Sequence, residues 1–237
     1  MNSTAKRARG AGLLYLLMIP SGVFSLIYVP GRLMVRGDAA ATAANILASQ
    51  SLFNIHTVNS LLSSVLFLFV ALALYRLLKP VNPQHAALMV ILVLVQVPVG
   101  IHDAMNQISA LELLRGESLG SAFDKAQRDA LAMVLLDPNN KAIFPIELFW
   151  GLWLFPLGLL VFRSGFLPRF LGLWLIVNGV AYVIISFTGM LWPQYLAIVN
   201  KITFPALFGE AAFPLWLLIM GAKPQPPAES VAAAPGR

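Results

Sequence analysis

Five ionisable side chains, His56, His102, Asp103, Glu147 and Glu210, fall inside stretches of sequence that are otherwise almost wholly apolar. An ionisable group in hydrocarbon costs on the order of 2.5 to 3.5 kcal/mol at the centre of a membrane helix, so each one requires a reason. Two imidazoles and up to three carboxylates match the ligand preferences of zinc, iron or manganese, which makes His56, His102 and Glu147 a candidate metal-ligand set. No His-Glu-x-x-His or Glu-x-x-His spacing reinforces that set. His56 and His102 on neighbouring helices would also suit a haem iron if they lay at equal depth, but counting along the helices puts His102 about one turn deeper. A third chemistry is a proton- or cation-coupled pathway for a small solute. Uncompensated carboxylates beside histidines, on helices interrupted by Pro98, Pro145, Pro156, Pro205 and Pro214, fit it best.

With the amides Asn59 and Asn106, the same residues make an expected binding set: His56, Asn59, His102, Asp103, Asn106, Glu147 and Glu210. On helices of 100° per residue, His56, Asn59, Ser60, Ser63 and Ser64 share one arc of about 140°, and Gln96, His102, Asp103, Asn106 and Gln107 share a similar one. The competing reading is interhelical hydrogen-bond glue, worth about 0.6 kcal/mol a pair. No Lys or Arg lies inside the spans to neutralise the acids, which shifts the balance towards a site. A serine hydrolase lacks its G-x-S-x-G or Ser-Lys signature, and the glycines follow no strand, so they read as close helix packing rather than a nucleotide loop. Without any cysteine the chain holds no disulfide, thiolate metal site or thiol nucleophile.

The elements that must carry these groups follow from composition. Of 237 residues, 59% are hydrophobic and 11% charged, against about 25% charged in a soluble domain. The apolar content suffices for about six spans of some 20 residues. Continuous apolar runs cover residues 11–30, 52–75, 86–111, 143–162, 170–192 and 204–221, and they do not alternate as barrel strands would. The expected fold is an all-α, six-span membrane bundle over residues 11–221, with a short segment 1–10 before it and a disordered Pro- and Ala-rich tail over 222–237. Lys6, Arg7 and Arg9 precede the first run, which lacks a cleavage site and reads as a retained span.

The excess of 16 Lys and Arg over 10 Asp and Glu, a net +6, suits anionic lipid surfaces. The expected partners are therefore the lipid bilayer and a small solute or cation, not nucleic acid. Nine basic residues fall on the side of the two termini and seven on the other, which places the termini in the cytoplasm. In the outer loops, Asp38 is expected to cap a short helix over "AAATAANILAS". Ser121 and Asp124 suggest a capping box for a second helix that Asp137-Pro138 ends, acting as a lid or, more commonly, as a packed connector.

Four motifs in order, "GDAAATAANILAS", "ALYRLLKPVN", "FRSGFLPRFLG" and "PALFGEAAFPLWLLIMG", together resemble the bacterial membrane family known as domain of unknown function 4386. The likeness runs from about Arg9 to Gly221. It implies six spans and a bacterial inner membrane, and it supplies no catalytic residues. Members often carry a histidine near the start of span four, where this chain has Glu147.

Overall fold

A computed structural model of the chain describes residues 3–117, 122–136 and 143–223. Ser121, Asp137, Pro138 and the tail from residue 224 onward lie outside the described residues. Six segments are long and apolar enough to cross a membrane, namely Ser3–Leu33, Gln50–Leu78, Pro83–Arg115, Ile143–Arg163, Arg169–Leu191 and Pro193–Ile219, and no strand occurs among the described residues. The chain is an all-helical, multi-pass membrane protein, as its composition implied.

Span one is α1 (Ser3–Val23), a π-helical turn (Phe24–Tyr28) and α2 (Val29–Leu33). A connector helix α3 (Ala39–Ala48) starts where Asp38 accepts a 2.8 Å bond from the Ala41 N–H, the expected cap. Span two is α4 (Gln50–Leu78). Span three is divided into α5 (Pro83–Leu94) and α6 (Val97–Arg115). The second connector helix is α7 (Lys125–Leu136), whose box is formed by Asp124 and Gln127, each side chain accepting from the other's backbone N–H. Spans four, five and six are α8 (Ile143–Arg163), α9 (Arg169–Leu191) and α10 (Leu196–Ile219), the last entered through a 3-10 turn (Pro193–Tyr195). The sixth helix therefore starts before the apolar run at residue 204. The exposed Lys201 lies on it, because a lysine's long stem lets a helix continue while its ammonium reaches polar surroundings.

The spans close into a ring. α1 packs on α4 and α10, α10 on α9, α9 on α8, α8 on α5 and α5 on α4. The tightest seam is α8 with α9, where a Cβ built on Gly158 would meet the Gly172 carbonyl oxygen at 2.7 Å and one on Gly151 would meet that of Gly179 at 2.6 Å. Small residues let the backbones touch, the packing that drives association where lipid offers no hydrophobic gain.

Two separate cores result. One, containing Leu74, Trp153, Leu157, Leu175, Phe213 and Leu217, draws on all six spans and lies towards the face that carries Ser3 and Lys223, here the terminal face. The other, containing Leu33, Ile46, Phe53, Leu111 and Ala132, lies at the opposite or loop face, and its buried members come from spans one to three with α3 and α7. In this way α7 packs on α6 and α3 as a connector.

The division of span three explains why the second core excludes spans four to six. Pro98 has no N–H, so the carbonyl one turn earlier loses its helical donor and the helix breaks at Val95 and Gln96. Gln96 satisfies part of the break by donating from Nε2 to the Leu92 carbonyl at 3.0 Å. Below the break α5 packs on α8; beyond it α6 packs on α4 and α7 instead. The bundle is closed at the terminal face and parted at the loop face. Of the other prolines, Pro156, Pro205 and Pro214 lie within continuous helices.

Candidate functional site

Between the two cores lies a cavity of about 430 Å³ with walls from all six spans. That volume falls in the range of small-molecule sites. Its lining is largely apolar, with Met18, Phe67, Ile146 and Trp150 among the larger side chains, and it contains two carboxylates, Asp103 and Glu210, with no Lys, Arg or His.

Glu210 is the most heavily engaged group. Tyr15 Oη donates to its Oε1 at 2.6 Å and Tyr182 Oη to its Oε2 at 3.1 Å, so one carboxylate ties span six to spans one and five. Tyr15 is 1% exposed, so its hydroxyl is held by the packing around it. Its ring sits 5.9 Å from that of Trp153 and 6.5 Å from that of Phe213, both in the terminal-side core. By helical rise, Tyr15 lies about 18 Å along α1 and Tyr182 about 20 Å along α9 from the terminal face, and Glu210 about 14 Å from the end of α10 on that face. Glu210 and Tyr182 therefore sit near mid-depth of a hydrocarbon core about 30 Å thick, and Tyr15, only about 6 Å into the apolar run that begins at residue 11, reaches Glu210 from nearer the terminal face. Counting from the apolar run alone puts Glu210 less than two turns from the outer end; the earlier start of α10 corrects this to about 21 Å.

Asp103 stands on α6 across the cavity from this clamp. Its Oδ2 accepts from Gln107 Nε2 at 2.7 Å, and the residue is exposed. A carboxylate about 18 Å from the loop-face end of its helix is at a depth where facing lipid is costly, and it stands on the cavity wall. Gln96 is two turns earlier on the same stripe and also lines the cavity. The Leu92 carbonyl it binds accepts only a donor, which fixes the amide orientation, and its Oε1 is buried with no partner.

The wall between spans one and two is held by a polar seam. Asn59 Nδ2 donates to the Ser21 carbonyl at 3.1 Å and to Ser25 Oγ at 2.7 Å, Ser21 Oγ donates to Asn59 Oδ1 at 3.0 Å, and the Ser21 and Ser63 hydroxyls are paired. Ser25 belongs to the π-helical turn of span one. Such turns recur where a helix is locally reshaped for a function.

Of the expected site residues, Asp103 and Glu210 share the cavity, and Asn59 braces its wall. His56, His102, Asn106 and Glu147 are not among its lining residues. His56 is buried on α4 beside the Phe53 ring, with Nδ1 unpartnered. His102 is exposed, and its Nε2 lies 3.3 Å from Asn106 Nδ2. Glu147 sits on α8 less than one turn from Trp150, its Oε2 buried without a partner. The metal set His56, His102 and Glu147 is not assembled, since no group of three or more His, Asp or Glu among the described residues is placed to hold a metal ion. Depth separates the histidines as well, at about 9 Å and about 20 Å from the loop-face ends of their helices. Each helix contributes one candidate ligand, and the break in span three carries His102 away with α6.

Span one is absent from the expected set altogether, as are both tyrosines. Tyrosine in membrane helices favours the interface, so Tyr182 near mid-span is a legible signal of a buried hydroxyl that needs an acceptor, whereas Tyr15, close to the start of the first apolar run, is not.

Residues 10–221 match the family described as domain of unknown function DUF4386. The chain belongs to that family. It is also similar to an uncharacterized protein of Archaeoglobus fulgidus, 28% identical over 162 residues that cover 67% of this chain and 79% of the relative. No solved structure matches the chain. The match spans every element that builds the cavity, from α1 to α10.

Proposed function

We propose that this member of the DUF4386 family binds a small solute in the mid-membrane cavity and moves it across the bilayer. One observation carries the reading: a cavity with two carboxylates and no basic side chain lies between one core shared by all six spans and a second confined to spans one to three. A bundle parted at one face and closed at the other has the form of one state of an alternating-access carrier, in which the solute site stays fixed and the packed ends exchange roles. Glu210 is suited to the coupling step. Its bonds to Tyr15 and Tyr182 tie three spans just above the closed core, and protonation would weaken both bonds together.

We place the protein in a bacterial inner membrane with both termini in the cytoplasm, a reading supported by the short basic loops Arg76–Lys79 and Arg163–Arg169 on the terminal face. The cavity then opens outward.

The test is solute-driven proton movement. Purified protein in sealed vesicles with a trapped pH dye is challenged with a panel of small amines, amino acids and neutral solutes, with protein-free vesicles as the control for passive permeation. The reading expects a saturable pH change for a subset of the panel that Glu210→Gln abolishes. The amide introduced by that substitution keeps an oxygen for the Tyr15 hydroxyl, so the variant remains folded. A Glu210→Gln protein that moves protons as the parent does would remove this residue from the coupling, and a panel with no saturable response would count against transport.

A further inference from the structure

The identity of the wall atoms goes further than the existence of a cavity. Resting on the binding reading above, we infer that the ligand is a small organic cation, a protonated amine on an apolar body, whose charge is met by Asp103 on α6, two turns past the division of span three. Charge supplies the first argument. The lining contains Asp103 and Glu210 and no Lys, Arg or His, so an anionic ligand would find no counter-charge and two repulsions. The second concerns which carboxylate is free. Both oxygens of Glu210 already accept tyrosine hydroxyls, whereas Asp103 accepts one amide bond on Oδ2 and has Oδ1 available. Glu210 belongs to the helix clamp, and Asp103 is the anion left for a ligand.

The third argument is an amide two turns away on the same wall. Gln96 is only 9% exposed, its nitrogen is committed to the Leu92 carbonyl, and its oxygen lacks a donor. A buried acceptor left empty costs roughly 1–3 kcal/mol, which a donor entering the site would recover. On one stripe of span three, the wall thus offers two acceptors about 10 Å apart by helical rise, the carboxylate for an ammonium group and the unmatched amide oxygen for a separate donor or a water, and neither suits an anion. The rest of the wall sets the body of the ligand. Phe67, Trp150, Met18, Ile146 and Leu207 present apolar surface, and Trp150, packed edge-on against Tyr182 with ring centroids 5.8 Å apart, adds an aromatic ring of the kind that attracts cations.

Three probes with closely similar bodies separate the head groups: phenylethylammonium, phenylethanol and phenylacetate. Binding to the full-length protein in neutral detergent is followed by saturable change of tryptophan fluorescence. The inference expects phenylethylammonium to bind at least about tenfold more tightly than either of the others, equivalent to about 1.4 kcal/mol. In Asp103→Asn, which retains an acceptor for Gln107, the preference should fall to near parity. It should persist in Glu112→Gln, an exposed position on α6 outside the wall. Phenylethanol or phenylacetate binding as tightly as the ammonium, a preference that survives Asp103→Asn, or no binding by any probe would each overturn the cationic class. A single thiol at position 60 on the cavity wall, probed with a small water-soluble reagent, reports on the cavity independently. If that thiol reacts, only the ligand class falls; if it is sealed, the binding reading falls with it.

Discussion

Removing one hydroxyl from the Glu210 clamp tests both its geometry and its charge. Tyr15→Phe deletes the donor 2.6 Å from Oε1 and leaves the ring, and hence its contacts with Trp153 and Phe213, in place. The deletion removes the carboxylate's direct donor on that side, and because Glu210 also lines the cavity, water entering from there sets the lower end of the expected loss. A hydrogen bond to a charged group contributes about 1.5–3 kcal/mol, whereas a neutral interhelical pair in a membrane averages about 0.6 kcal/mol. The two cases are distinguishable. For a chain of this size each kcal/mol moves the melting temperature by roughly 2–4 °C, so the charged case gives a fall of roughly 3–12 °C and the neutral case about 1–2 °C. The assay is thermal melting in mild detergent, repeated in a Glu210→Leu background, where Tyr15→Phe should cost close to nothing because its acceptor is gone. Tyr28→Phe, 47% exposed, serves as the control with a shift near zero. A Tyr15→Phe shift no larger than that of Tyr28→Phe, or one that persists undiminished without Glu210, would refute the clamp.

Other expectations follow from the packing. Gly158→Ala places a Cβ 2.7 Å from the Gly172 carbonyl, where only backbone movement relieves it, and should cost about 1–3 kcal/mol in the same melt. Gly10→Ala, with nothing within 4 Å of the added carbon, should be neutral or slightly stabilising. Asp38→Ala removes the cap of α3 and should cost about 1 kcal/mol. Pro98→Ala restores a helical N–H at the division of span three; by drawing α6 into line with α5 it should slow reagent access to the cavity, measured as the labelling rate of a thiol at position 60.

Much of the fold was legible because its cause is local. Long apolar runs set six spans, and Asp38 set the start of α3, since span length and capping depend on residues adjacent in sequence. The site was legible only in part. Asp103 and Glu210 stand out as acids in apolar runs that hold no Lys or Arg, and both line the cavity. The failure of His56, His102 and Glu147 to meet has a tertiary cause: which face each helix turns to its neighbours depends on α6 leaving α8 for α4 and α7. A proline marks that break, but its direction is set by the packing of α7, which no periodicity within span three records. Span one was overlooked for a similar reason. Ser21 and Ser25 are ordinary residues in sequence and become a seam only when Asn59 reaches across from α4. Lys201 likewise obscured the start of span six, since a polar residue that extends to the surface interrupts the apolar run without ending the helix.

The central claim is that water and small solutes reach the middle of the bundle from the loop face. The chain has no cysteine, so one introduced thiol reports alone. Ser60→Cys lies on the cavity wall, and Ala71→Cys, three turns further along α4, lies fully buried in the terminal-side core. In sealed vesicles, a membrane-impermeant, water-soluble thiol reagent applied at the loop face should modify the thiol at position 60 and leave that at position 71 untouched until the protein is unfolded. A thiol at position 60 that stays as unreactive as the one at position 71 would contradict the account.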